Sequence, residues 1–177
     1  NSVLTCPAFF TACERYGVVP VAGMELTTAE DIHVLCLFEE LESALAFGEE
    51  VNKKRVFIPN RTDIFGEQLI LDGEDEICGT EENLLPNATL ITYDEAPELV
   101  KAFGGVCWPA HIDRDANGVI AALGTVPEEP EFRFVEFNRK ENEQNYRALY
   151  PELEGKRVIV SSDAHYLENL REKEDAI

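Results

Sequence analysis

A single domain with a parallel α/β fold is predicted by three observations. Candidate strands alternate with candidate helices along the whole of the 177 residues, the pattern of parallel sheets joined by helical crossovers. The best strand candidates are continuous apolar runs rich in branched side chains, as strands covered on both faces require. No repeat, low-complexity stretch or linker divides the chain into two units.

The elements follow in order. Residues 6–16 place Ala8, Phe9, Ala12 and Tyr16 at helical spacing, with Pro7 tolerated in a first turn and Gly17 as a stop. Residues 18–28 read as a buried strand and residues 32–38, Ile-His-Val-Leu-Cys-Leu-Phe, as a second. A helix is expected over about 41–54, with Lys53, Lys54 and Arg55 placed favourably against its dipole. Between 57 and 89 the pattern weakens, Gly66, Gly73 and Gly79 punctuate polar stretches, and residues 70–76 form a surface turn. Regularity returns with a helix over 93–103, an apolar strand over 106–111 and a short helix over 116–123. A strand over 134–137, a helix over 141–149 and a strand over 157–162 complete the series, the last running into Asp163-Ala164-His165.

The charge excludes some functions. Against 35 Asp+Glu stand only 15 Lys+Arg, a net charge of −20, so a basic nucleic-acid-binding surface is not expected. A phosphate substrate needs help from metal ions in so acidic a chain. No apolar run approaches the roughly 18–20 residues that span a bilayer, and no signal peptide opens the sequence. The five cysteines are odd in number and contain no C-x-x-C pair, so neither a disulfide framework nor a cysteine zinc site is indicated, and a reducing cytoplasm fits. Cys36 and Cys107 read as core residues.

The three histidines all lie in or at the end of predicted strands. In a parallel barrel the active site is built at the C-terminal strand ends. His111 closes one strand, Asp163 and His165 close another, and Glu25 follows an apolar run, whereas His33 stands at the start of its strand. Imidazole with carboxylate, without cysteine, is the donor set of hydrolytic zinc, manganese or iron centres. Each residue also has a plainer reading. A strand histidine can be a hydrogen-bonded structural residue, Glu25 needs a cation but Arg or Lys serves as well as a metal, and Arg114 either contacts an anionic substrate or caps a turn.

Four segments carry a resemblance: Val21-Ala22-Gly23-Met24-Glu25-Leu26-Thr27-Thr28, Asp31-Ile32-His33-Val34-Leu35-Cys36-Leu37-Phe38, Pro109-Ala110-His111-Ile112-Asp113-Arg114 and Ser161-Ser162-Asp163-Ala164-His165-Tyr166. In this order they resemble the later motifs of the PHP (polymerase and histidinol phosphatase) superfamily of metal-dependent phosphoesterases. The resemblance implies an α/β fold, an incomplete distorted (β/α)7 barrel whose first strands are missing. It implies metal ligands at Glu25, His33, His111, Asp163 and His165, with Asp163 and His165 taking part in catalysis and Arg114 contacting the substrate phosphate. The family holds two or three divalent ions, Mn, Fe or Zn; fewer or none are expected in this chain alone. The family's H-x-H and D-H motifs have no counterpart here, so the expectation is one truncated PHP-like domain over 1–177, its missing strands supplied by another chain or absent.

The implied activity is hydrolysis of a phosphate mono- or diester, a nucleotide or other small phosphate ester, by a metal-bound hydroxide. The alternatives are a non-catalytic scaffold with an incomplete metal site, or a metal hydrolase acting on a carbon ester or amide. The irregular insertion over about 57–89 is where substrate choice can reside.

Overall fold

The chain alternates helices and short strands in a mixed α/β arrangement, and the computed structural model describes residues 1–170. Helix α1 (Cys6–Tyr16) carries Pro7 in its first turn and ends at Gly17, whose left-handed φ of 68° returns its N–H to the carbonyls of Cys13 and Glu14. Its inward face is formed by Cys6, Phe10 and Cys13 rather than by Phe9 and Tyr16, which are exposed. Positions 6, 10 and 13 satisfy helical spacing equally well, and Cys6 reaches the Gly23 carbonyl.

Strands β1 (Ala22–Thr27), β2 (His33–Phe38) and, later in the chain, β5 (Gly105–Pro109) form one sheet in the order β1-β2-β5. Both pairings are antiparallel, which corrects the parallel arrangement expected from the alternation of elements. The physical reason for the first pair is the connection: a parallel return needs a crossover of about a dozen residues or more, and here Thr28 N–H donates to Ile32 O across a tight turn. The 18–21 stretch precedes β1 as exposed chain, with Val18, Val19 and Val21 open to solvent. Gly23 is demanded by the close pairing, since a Cβ there would lie 2.3 Å from the Cys36 carbonyl oxygen.

Helix α2 (Leu41–Lys53) packs on one face of this sheet. Ala22, Met24, Leu26, Val34, Cys36 and Phe38 point into the buried face with Ala44, Phe47 and Val51 of α2. Phe47 stacks 4.9 Å from Phe38 and 5.8 Å from Phe103, centroid to centroid. The alternate residues Glu25, His33, Leu35 and Leu37 are only half-buried. The continuous apolar run of β2 therefore does not mark equal burial on both faces.

Residues beyond α2 form a peripheral excursion: α3 (Thr62–Phe65) and a hairpin of β3 (Leu69–Leu71) with β4 (Ile77–Thr80). The predicted turn is present, its Asp72 carboxylate accepting N–H groups of Glu74 and Glu76. Arg55 does not cap α2 in solvent. Its side chain is 3% exposed and holds Glu81 and the carbonyls of Asn83 and Leu84, pinning the excursion to the end of the helix.

The C-terminal part follows the expected parallel logic. Helix α4 (Ala96–Ala102) leads into β5, and α5 (Val119–Leu123) follows it. Strand β6 (Phe134–Phe137) pairs in parallel with β7 (Arg157–Val160), the two joined through α6 (Glu143–Leu149). Ile112 N–H donates to Glu136 O and brings this pair beside the end of β5. Three small sheets result, and no closed barrel forms among the described residues. No helix among them is long and apolar enough to cross a membrane.

Thiol reactivity tests this packing. Burial pushes the Cys107 thiol up to about 12 and that of Cys36 well above its ordinary value, whereas Cys78 is exposed on β4. Since the thiolate is the nucleophile, brief alkylation at pH 8 is expected to label Cys78 and leave Cys36 and Cys107 unmodified, as read by peptide mass spectrometry.

Candidate metal centre

The antiparallel sheet explains why the start of one strand belongs with the ends of two others. Thr27 pairs with His33 and Val34 with Pro109, so the C-terminal ends of β1 and β5 and the N-terminal end of β2 share one edge. Glu25, His33 and His111 meet there. His33 stands at the first position of its strand and still faces Glu25, because β2 runs against its neighbours.

The three side chains approach closely. His111 Nε2 lies 3.0 Å from Glu25 Oε1, His33 Nδ1 lies 3.1 Å from Glu25 Oε2, and the two ring nitrogens are 3.2 Å apart. Ligand atoms at adjacent vertices around an ion with bonds of about 2.1 Å stand roughly 3–3.4 Å apart. Two imidazoles and one carboxylate in this spacing fit a divalent cation with affinity for nitrogen and oxygen donors. His111 is fully buried and its other nitrogen, Nδ1, has no hydrogen-bond partner, so its polar contacts converge on the cluster.

The electrostatics are those of a carboxylate between imidazoles. Burial alone raises the Glu25 carboxyl, but hydrogen bonds from His111 and His33 outweigh it and hold the group well below the usual carboxylate range. Burial works against protonation of His111, yet the Glu25 carboxylate and the nearby Asp163 charge raise its pKa overall. A bound cation competes with that proton for the same nitrogen.

The remaining predicted residues lie beside the cluster. Asp163, after β7, is ion-paired with Arg114, and His165 Nε2 stands 3.5 Å from Asp163 Oδ1 with its side chain largely exposed. Both readings of Arg114 thus acquire a partner, since its guanidinium links the loop after β5 to the loop after β7. Among the described residues, Glu25, His33 and His111 share a ligand space and Asp163 and His165 stand outside it.

Two acidic residues escaped the sequence reading. Glu136 in β6 is buried and lies behind the cluster, with Oε1 3.4 Å from the His111 N–H and Oε2 3.5 Å from the Trp108 indole N–H. Burial raises its pKa despite hydrogen bonds from Ser161, Trp108 and His111. A carboxylate inside the apolar run Phe134-Val135-Glu136-Phe137 is the same signal that singled out Glu25. Asp113 accepts the N–H groups of Asn138 and Arg139, at 2.7 and 3.0 Å, and the Asn142 amide at 2.7 Å. It ties the loop after β5 to the loop after β6. His111 itself has φ 29°, a left-handed conformation that non-glycine residues rarely adopt, and Asp163 has φ 48°.

No family profile matches the chain and no curated protein matches it in sequence. Among solved structures, that of the lesion-specific endonuclease PfuEndoQ from Pyrococcus furiosus is similar, with a TM-score of 0.50 and 16% identity, over 81% of this chain. The chain spans 30% of the length of that protein. At this identity the likeness is one of fold, and it supports a distant PHP-like fold.

Proposed function

We propose that the chain belongs to a metal-dependent phosphoesterase and carries part of its metal centre. The observation that carries this reading is the convergence of the Glu25, His33 and His111 donor atoms. The distant fold likeness agrees with it. Glu25, His33 and His111 hold a divalent cation, Mn, Fe or Zn, which supplies Lewis acidity toward the phosphoryl group and toward water.

The chain's other residues act around that cation. Arg114 neutralises phosphoryl oxygens, an interaction suited to its planar guanidinium. Asp163 orients Arg114 and His165, and His165, exposed at the rim, moves a proton to or from solvent or the leaving oxygen. Within this reading the three-stranded sheet and the β6–β7 pair are segments of one distorted barrel. The structural neighbour is an endonuclease, but a net charge of −20 disfavours a long polyanion. A nucleotide or other small phosphate ester suits this chain better.

A second reading is favoured by one observation: Asp163 is paired with Arg114 and lies outside the donor cluster. On that reading the chain is a scaffold that binds a cation without turnover. Aryl phosphate hydrolysis by the manganese- or zinc-loaded chain separates the two. The phosphoesterase reading expects turnover that EDTA abolishes and that Asp163→Ala lowers by more than about tenfold. Stoichiometric metal without turnover supports the scaffold, and absence of metal binding overturns both.

A further inference from the structure

Between the loops that follow β5 and β6 lies a polar cavity of about 420 Å³, adjacent to the cation cluster but distinct from it. Its volume is within the range of small-ligand sites, about 300–1,000 Å³. Arg114 and Arg139 both line it, with Asn138 and Asn142. Two arginines facing one cavity is notable where 15 basic residues stand against 35 acidic ones. Two carboxylates also line it, Asp113 and Asp115. The Asp113 charge is directed away from a ligand, since its oxygens already accept three donors from the loop after β6. That leaves Asp115 as the opposing charge. No carboxylate is paired with Arg139 among the described residues, whereas Arg114 reaches Asp163 and so connects the cavity with the cluster.

We propose that this cavity is an anion subsite that takes a phosphate-type group of the substrate, held between the guanidinium groups of Arg114 and Arg139. The assignment of that anion to a substrate rests on the phosphoesterase reading; the capacity to bind it does not. Asp113 is the positioning residue, because its three hydrogen bonds fix the backbone that presents Arg139 opposite Arg114. A planar guanidinium on each side matches the oxygens of a tetrahedral anion. The Asp163 pairing keeps Arg114 extended toward the cluster, so an anion in the cavity lies on the path to the cation.

The test uses the full chain stripped of metal with EDTA and dialysed, with inorganic phosphate as the probe. Titration calorimetry is expected to show saturable binding at one site, and NMR to show shifts of the Arg114 and Arg139 side-chain Nε–H signals. Arg139→Gln is expected to weaken binding about tenfold, the loss of one or two hydrogen bonds to a charged group. Arg133→Gln serves as control, since Arg133 lies over the Phe134 ring away from this cavity, and leaves binding unchanged. Absence of saturable binding, or equal binding by Arg139→Gln and the unaltered chain, overturns the subsite. Metal is absent throughout, so failure of the cation reading does not change this result. In a second arm a 5′-mononucleotide competes with phosphate. Displacement that Arg139→Gln weakens by the same factor supports a substrate role, and failure to displace phosphate overturns it.

Discussion

His111→Ala is expected to weaken binding of a divalent cation by more than about 100-fold and to abolish metal-dependent turnover. Loss of even a supporting group around a metal typically costs 10–100-fold, and His111 is a direct donor. Its Nε2 lies within 3.2 Å of both Glu25 and His33, and the side chain is fully buried. The substitution leaves a two-donor site beside a cavity that no neighbouring ligand can fill. Titration with Mn or Zn, checked by elemental analysis, measures the loss, and circular dichroism verifies the fold. His165→Ala is the informative contrast. His165 is 74% exposed and 3.5 Å from Asp163, so its removal is expected to change metal affinity by less than about threefold while lowering turnover through lost proton transfer. Equal loss of metal in both variants would show that the centre takes in His165 as well.

The second large effect concerns the platform. Phe47→Ala is expected to destabilise the chain by about 3–5 kcal/mol, the usual range for removing a buried phenylalanine, and to lower Tm by roughly 10 °C. Phe47 is fully buried between Phe38 of β2 and Phe103 after α4. It therefore holds α2 against the sheet whose opposite face carries Glu25 and His33. Calorimetry or thermal denaturation reads the change. Phe57→Ala, at an exposed position of the excursion, is expected to stay within about 0.5 kcal/mol.

The local elements were legible in the sequence because they depend on local chemistry. Helix α1 with Pro7 and Gly17, helix α2, β6 and β7 lie within a few residues of their expected bounds. Strand direction was not legible, because an apolar run records burial and carries no sign of which way its neighbour points. The consequence fell on His33, whose position at a strand start counts against it in a parallel sheet and favours it in the antiparallel one that forms. Glu25 and His111 were legible as polar residues at apolar strand ends. Arg55 was not, since a basic residue after a helix reads as an end charge, and only the returning 81–84 segment reveals it as an anchor. The partners of Asp113 lie 25 to 29 residues away, and no local pattern could announce them.

The backbone at His111 sets two pressures against each other at a single Cα. Its φ of 29° falls where asparagine and glycine are comfortable and a larger side chain is strained. A library at position 111 screened for thermal stability alone should therefore drift toward asparagine, whereas one screened for retention of a divalent cation should return histidine. The gap between those two winners measures how far this chain has been shaped by chemistry rather than by folding.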